Sequence, residues 1–316
     1  MELIVVLVIL AALGTVLVTQ TTGLTDEARY TQTVRSLEAI QDAVIGRQVA
    51  RGEDPTAVPP GFVSDMGRLP QAVEEATDVF TLAELWDGGQ FAAADLYQVR
   101  TLTGLDNELQ MASGWRGPYV RLPVGTDELR NGWGREFDLF DGAGAAVDAN
   151  NDSIGAVSST GSELGDAFDP ATPLEVLFAD SSVATAVDRS TGRVPETVTV
   201  EFPQPFSAAD TSVTVRVYGI DGTDGDLIPD VLLEGTAQAI AGSTSLTLTL
   251  VDLIDPDATP GHLMGIGPKI IRAYRLAAAP TPDQDFSAEP NKSDAVSFSL
   301  PAGGLSSLPT VTLIGN

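Results

Sequence analysis

A run of sixteen uncharged residues, 3–18, stands directly behind a single carboxylate, Glu2, and only Gly14 and Thr15 interrupt its apolar character. An ionised acid beside a membrane-length helix is costly, about 2.5–3.5 kcal/mol at a helix centre, so it calls for a partner. Three readings of such a run compete: a secretory signal, a membrane anchor and a buried core helix. A signal peptide has basic residues before it and a small-residue cleavage site after it. Here an acid precedes the run and Thr19-Gln-Thr-Thr22 follows. Sixteen residues fall just short of the roughly 20 that span a bilayer, so the expectation is a tilted or slightly short membrane helix retained in the mature protein.

The helical pattern continues beyond the run. Residues 25–50 contain no proline, and Tyr30, Val34, Leu37, Val44 and Ile45 recur with the spacing of one helix face, with Ile40 and Val49 beside them. Asp26, Glu27, Arg29, Arg35, Glu38, Asp42 and Arg47 take the remaining surface. Gly23 is a candidate bend, and the predicted stop is Gly52, followed by Asp54-Pro55 and Pro59-Pro60-Gly61. The first expected unit is thus a long helix over 1–51, with 1–19 as membrane or filament core and 24–51 amphipathic. At 1.5 Å per residue it would be roughly 75 Å long.

Charge and composition narrow the functional classes. Forty-four acidic residues against 17 basic ones give a formal charge of −27, which repels nucleic acid. Without cysteine there is no disulfide, thiol nucleophile or thiolate metal site, and His262 is the only histidine. Histidine-based triads and two-histidine zinc motifs therefore have nothing to draw on. No P-loop, dinucleotide fingerprint or nucleophile elbow is present. The expectation is a protein that is not an enzyme, with a carboxylate-only glycosidase as the catalytic alternative.

Residues 52–165 read as a small α+β head. A short helical pattern lies near residues 82–86. Gly114-Trp-Arg-Gly-Pro-Tyr119 and Gly132-Trp-Gly-Arg-Glu-Phe137 each place a Trp-Gly turn before a short alternating stretch, and a third strand is expected around 154–159. Residues 166–195, with Pro170, Pro173 and Pro195, read as a linker. Beyond them the pattern changes to period 2. Strands are expected at 197–202, 212–218, 243–250, 269–276, 295–300 and 310–314, with 231–233 and 262–264 as two more. Such spacing over 196–316 predicts an immunoglobulin-like β-sandwich.

Two acidic stretches are candidate calcium ligands. Asp148, Asn150 and Asp152 alternate like the first half of a calcium loop, but no glycine marks the sharp turn and Ser159 stands where the terminal acid belongs. Asp224, Asp226 and Asp230 resemble an Asp-x-Asp-Gly-x-x-Asp repeat in a single copy, for which a solvated hairpin loop is the simpler account. Trp86, Trp115 and Trp133 read as packing residues.

The N-terminal order Met1-Glu2-Leu3, the apolar run behind it and its amphipathic continuation resemble the type IV pilin and type II secretion pseudopilin superfamily. In that family a glycine, then Phe-Thr-Leu-Ile-Glu-Leu, leads into the apolar helix, and Glu2 falls on the family's glutamate. The Trp-Gly elements and Val157-Ser-Ser-Thr-Gly-Ser162 resemble the pseudopilin-type head. The resemblance implies a homo-oligomeric helical filament, with Glu2 pairing to the N-terminal amine of a neighbouring subunit. It also implies residence in the inner membrane before assembly, display as an extracellular or periplasmic filament, and prepilin peptidase and assembly machinery as partners. Calcium in the head is a further implication. The alternative is a membrane-anchored adhesin that does not polymerise, with the β-sandwich as its binding module.

Overall fold

The computed structural model describes residues 2–46, 61–77, 79–102, 106–142, 144–159, 174–177, 191–203, 205, 212–220, 227, 229–238, 240–252, 262–276, 286, 292–300 and 305–313. Its first element is helix α1, Glu2–Ile45, unbroken at Gly23. The helix ends where Gly46 takes φ +88°, ahead of the expected stop at Gly52. Thr33, Leu37, Ile40 and Val44 are fully buried, at the i, i+4, i+7, i+11 spacing of a narrow stripe. The buried face is therefore rotated away from Tyr30 and Val34, which the sequence pattern favours. Val49 lies outside the described residues.

Helix α2, Phe62–Met66, is short and buried at every position. Three small sheets follow. Strands β1 (Val73–Ala76) and β2 (Val79–Thr81) form one hairpin, and β3 (Gln98–Leu102) and β4 (Asp106–Ser113) form another. Strands β5 (Asp138–Asp141), β6 (Ile154–Ser159) and β7 (Leu174–Leu177) make a three-stranded antiparallel sheet with β6 in the middle. The helical pattern near 82–86 is a single 3-10 turn, Ala83–Leu85. The stretch expected as a strand after Trp115 forms none, because Pro118 and Pro123 each remove a ladder donor.

The remaining strands are β8 (Thr191–Val194), β9 (Thr197–Glu201), β10 (Ser212–Ile220), β11 (Pro229–Gln238), β12 (Ser245–Thr249), β13 (Val251–Asp252), β14 (His262–Gly265), β15 (Gly267–Leu276), β16 (Val296–Leu300) and β17 (Val311–Thr312). A five-stranded sheet has the order β13-β11-β10-β15-β16 and faces a three-stranded sheet, β12-β9-β17. Val198 and Val200 of β9 meet Val213, Val215, Val217 and Ile271 across that interface. The opposite face of the five-stranded sheet is covered too. Tyr218, Ile220, Ile270 and Tyr274 share one core with Leu37, Ile40 and Val44 of α1 and Phe62 of α2. All nine residues of β10 are buried as a result.

Two expectations are corrected by this architecture. The chain is mainly β, with α1 and α2 as the α-helices among the described residues, not an α+β chain built of a long membrane-type helix and a pilin-like head. The segments of the head are three to eight residues long and interrupted by glycine and proline, so they form separate small sheets instead of one sheet laid over a helix. Among the described residues, no helix is long and apolar enough to cross a membrane. The uncharged run of 3–18 falls below spanning length. Transmembrane character and inner-membrane residence are therefore withdrawn.

Candidate assembly interface

Helix α1 divides into two parts by exposure. From Thr33 to Ile45 one side is packed into the head, whereas side chains 24–32 are exposed or half-exposed all round the helix. Leu24 is 66% exposed, a large apolar side chain left in water. Leu24, Glu27, Ala28, Thr31 and Arg35 fall at i, i+3, i+4, i+7 and i+11 and line one shallow groove along the helix. At about 1.5 Å per residue the 44 residues of α1 extend roughly 66 Å, and an unsupported helical segment is marginal in water.

The packed part is clamped by one of the Trp-Gly elements. The Gly132 N–H donates to Thr33 Oγ1 (2.9 Å), and the Thr33 hydroxyl donates to the Arg29 carbonyl (3.0 Å). Only glycine fits here, since a Cβ on Gly132 would lie 2.0 Å from the Arg29 carbonyl oxygen. Asn131 holds the loop: its Oδ1 accepts from the backbone of Trp133 and Arg135, and its Nδ2 donates to Ser159 Oγ.

The other Trp-Gly element is tied to α2 and to the Ala83–Leu85 turn. Trp115 Nε1 donates to the Glu84 carbonyl (2.7 Å), and its ring stacks on Phe91. Arg116 makes two bonds to Asp65, which also accepts from Tyr119 Oη. Burial raises the Asp65 carboxyl above its ordinary range, while the bond to Arg116 pulls it back. Burial also raises the Tyr119 phenol, which stays protonated and donating. Both Trp-Gly elements thus act as packing and clamping devices.

The predicted site residues are dispersed. Glu2 is the first residue of α1, and its side chain lies outside the described residues. Asp148, Asn150 and Asp152 sit in one turn beside β1, where Asn150 Oδ1 accepts from Glu74 N (3.0 Å) and Asp152 Oδ2 from Ala149 N (3.1 Å). Asp224 and Asp226 lie outside the described residues. Asp230 is exposed on β11 and accepts from the N–H of Val231. Among the described residues no three His, Cys, Asp or Glu side chains group as a metal site. A small pocket of about 20 Å³, room for one water molecule, is lined by Ile40, Phe80, Trp86 and Leu129 together with Glu128 and Glu136.

The ion cluster between head and sheet had no signal in sequence. Asp106, fully buried on β4, accepts from Arg272 Nη1 (3.0 Å) and Tyr274 Oη (2.7 Å). Glu108 accepts from Arg272 and from Lys292 Nζ (2.8 Å), and these bonds, Lys292 first, lower its carboxyl. The Tyr218 and Tyr274 hydroxyls lie 2.7 Å apart, and burial pushes Tyr218 up to about 12. These groups join β4 to β15 from positions more than 160 residues apart. No family model, curated protein or solved structure matches the chain.

Proposed function

We propose that the chain is a structural subunit that assembles with copies of itself through α1 into a filament. The observation that carries this reading is the stretch of α1 from Leu24 to Gln32, exposed around its circumference and continuous with a helix that begins at Glu2. An amphipathic helix is normally stabilised by packing, and in this part the side chains stay exposed or half-exposed although Gly132 of the head approaches the Arg29 carbonyl. A heterologous contact repeated along one direction gives an open filament. The order Met1-Glu2-Leu3 ahead of the apolar run supports the same reading, with the Glu2 carboxylate fixing register between neighbours. The chemistry is association, with no bond made or broken.

The test is assembly of the full chain followed by sedimentation and electron microscopy. Filaments are expected, and they should be lost when Leu24→Asp and Ala28→Asp place charges along the exposed face. A chain monomeric at every concentration would overturn the proposal and favour a binding protein whose β-sandwich is the module. Filaments indifferent to both substitutions would remove this face of α1 from the interface.

A further inference from the structure

One group in the ion cluster between head and sheet has chemistry beyond charge pairing. The Lys292 amine is a nucleophile once it gives up a proton, and two carboxyls of β4 stand against it. Its Nζ is 2.8 Å from Glu108 Oε2 and 3.7 Å from Asp106 Oδ1. The Lys292 side chain is 9% exposed and that of Asp106 0%, whereas Glu108, at 57%, reaches solvent. The second oxygen of Asp106 is fixed, since Oδ2 accepts from Arg272 Nη1 (3.0 Å) and Tyr274 Oη (2.7 Å). The amine is anchored too. A backbone bridge pairs Lys292 with Tyr274, and Arg272 Nε donates to the carbonyl of the next residue, Ser293 (2.8 Å).

These groups are the parts of an amide-forming site. Amine and carboxyl are held side by side, which replaces a chance encounter by a fixed geometry. Glu108 is within hydrogen-bond reach of Nζ, where a proton acceptor has to be. Arg272 and Tyr274 aim two donors at the oxygen that gains charge when the carboxyl carbon is attacked. Burial supplies the driving force. Ions taken out of water lose their hydration, and condensing Lys292 with Asp106 replaces one buried pair by a neutral amide, leaving Arg272 and Glu108 to balance each other.

We propose that Lys292 and Asp106 condense into an intramolecular amide that joins β4 of the head covalently to the segment before β16. Glu108 relays one ammonium proton to Asp106 Oδ1, and the freed amine attacks Cγ, forming the Nζ–Cγ bond. Arg272 and Tyr274 hold the resulting oxyanion on Oδ2. A second proton passes from Nζ to Oδ1, the Cγ–Oδ1 bond breaks and water leaves. Ammonium and carboxylate give amide and water, so the step balances without a co-reactant. In a chain without cysteine this bond takes the place of a disulfide cross-link. It forms within one copy and is independent of assembly through α1.

Intact-mass spectrometry of the full chain, folded at pH 7 and then denatured, tests the bond. A mass one water below that of the sequence is expected, and a digest should yield the peptide of Asp106 joined to the peptide of Lys292. Lys292→Arg keeps a cation against both carboxylates and should show the full mass. Asp106→Asn should lose ammonia in place of water and give the same linkage. Glu108→Gln leaves both reacting groups in place and should slow condensation about a hundredfold. The full mass in the folded wild-type chain overturns the proposal and reduces the cluster to ion pairs. Water loss that persists in Lys292→Arg, or that maps to a cyclic imide within one peptide, overturns it as well. Condensation at an unchanged rate in Glu108→Gln overturns the relay through Glu108.

Discussion

The two faces of the five-stranded sheet are buried to the same degree by opposite chemistry. Toward β9 and β12 it presents Val213, Val215, Val217, Ile271 and Ala273, all fully buried. Toward the head it presents Thr214, Arg216, Tyr218, Arg272 and Tyr274, set among Ile220, Ile270 and Leu276 and equally removed from water. The apolar face is held by area, which is non-directional and forgiving of shape. Each group on the polar face costs several kcal/mol to dehydrate and is stable only with its partners in place. Arg216 shows how complete the pairing is: its Nε donates to Glu234 (2.6 Å), and its guanidinium lies 4.0 Å from the centre of the Phe286 ring. Equal burial therefore conceals unequal sensitivity to substitution, and the polar face is the one that a single change can break.

The largest expected effect lies on that face. Arg272→Ala leaves Asp106 buried with one fewer donor and removes the bonds to Glu108 and to the Ser293 carbonyl. A loss of about 3–5 kcal/mol is expected in urea unfolding at pH 7. An effect within 1 kcal/mol would mean that the polar face contributes little and would erase the contrast.

A smaller loss should follow on the apolar face. Ile271→Ala opens a cavity between the two sheets and should cost about 2–3 kcal/mol, whereas Ile271→Val should cost about 1 kcal/mol. That graded response to volume, measured by the same unfolding series, separates an area-held face from a pair-held one.

A third effect has the opposite sign. Lys269 sits on the apolar side with Leu232, fully buried, and among the described residues donates only a long bond to the Pro268 carbonyl (3.3 Å). Burial pushes its ammonium down to about 7 from an ordinary 10.5. Between those values the unfolded chain binds the proton and the folded chain does not. Stability should thus rise with pH through that window and stay at its lower level below it. Lys269→Met should flatten this slope and raise the unfolding free energy at pH 7 by roughly 2 kcal/mol. A slope that persists in Lys269→Met would assign the titration to another group.

The β half of the chain was largely legible. Period-2 stretches predicted at 197–202, 212–218, 243–250, 269–276 and 295–300 are β9, β10, β12, β15 and β16 within a few residues. The shorter signals at 231–233 and 262–264 mark β11 and β14. The head was less legible. Its hairpins β1–β2 and β3–β4 lie in a region of mixed pattern, and the segment after Trp115 looked like a strand but serves to hold Tyr119 and Arg116 on Asp65. Asp65 and Tyr119 are 54 residues apart, and no local pattern carries such a bond. Of the predicted site residues, Asp148, Asn150 and Asp152 do share one turn, because their spacing is local. Nothing in sequence marked Leu96, Tyr97 and Val99 as exposed, since exposure depends on what fails to cover a side chain.

By itself the sequence determined which stretches alternate, where glycine and proline end them, and that the surface is strongly acidic. These are properties of neighbouring residues and of summed composition, set by backbone sterics and side-chain polarity. The tertiary structure decided what lies against each face. Alternation tells that one side of β10 is apolar; it does not tell whether the other side meets water or a second layer. Here it meets a second layer, with Asp106 and Glu108 of the head on Arg272 and Phe286 on Arg216, and residues that alternation would leave facing solvent are buried. The physical reason is that charge can be buried only with a partner, and the partner of Arg272, Asp106, comes from a strand 166 residues earlier in the chain.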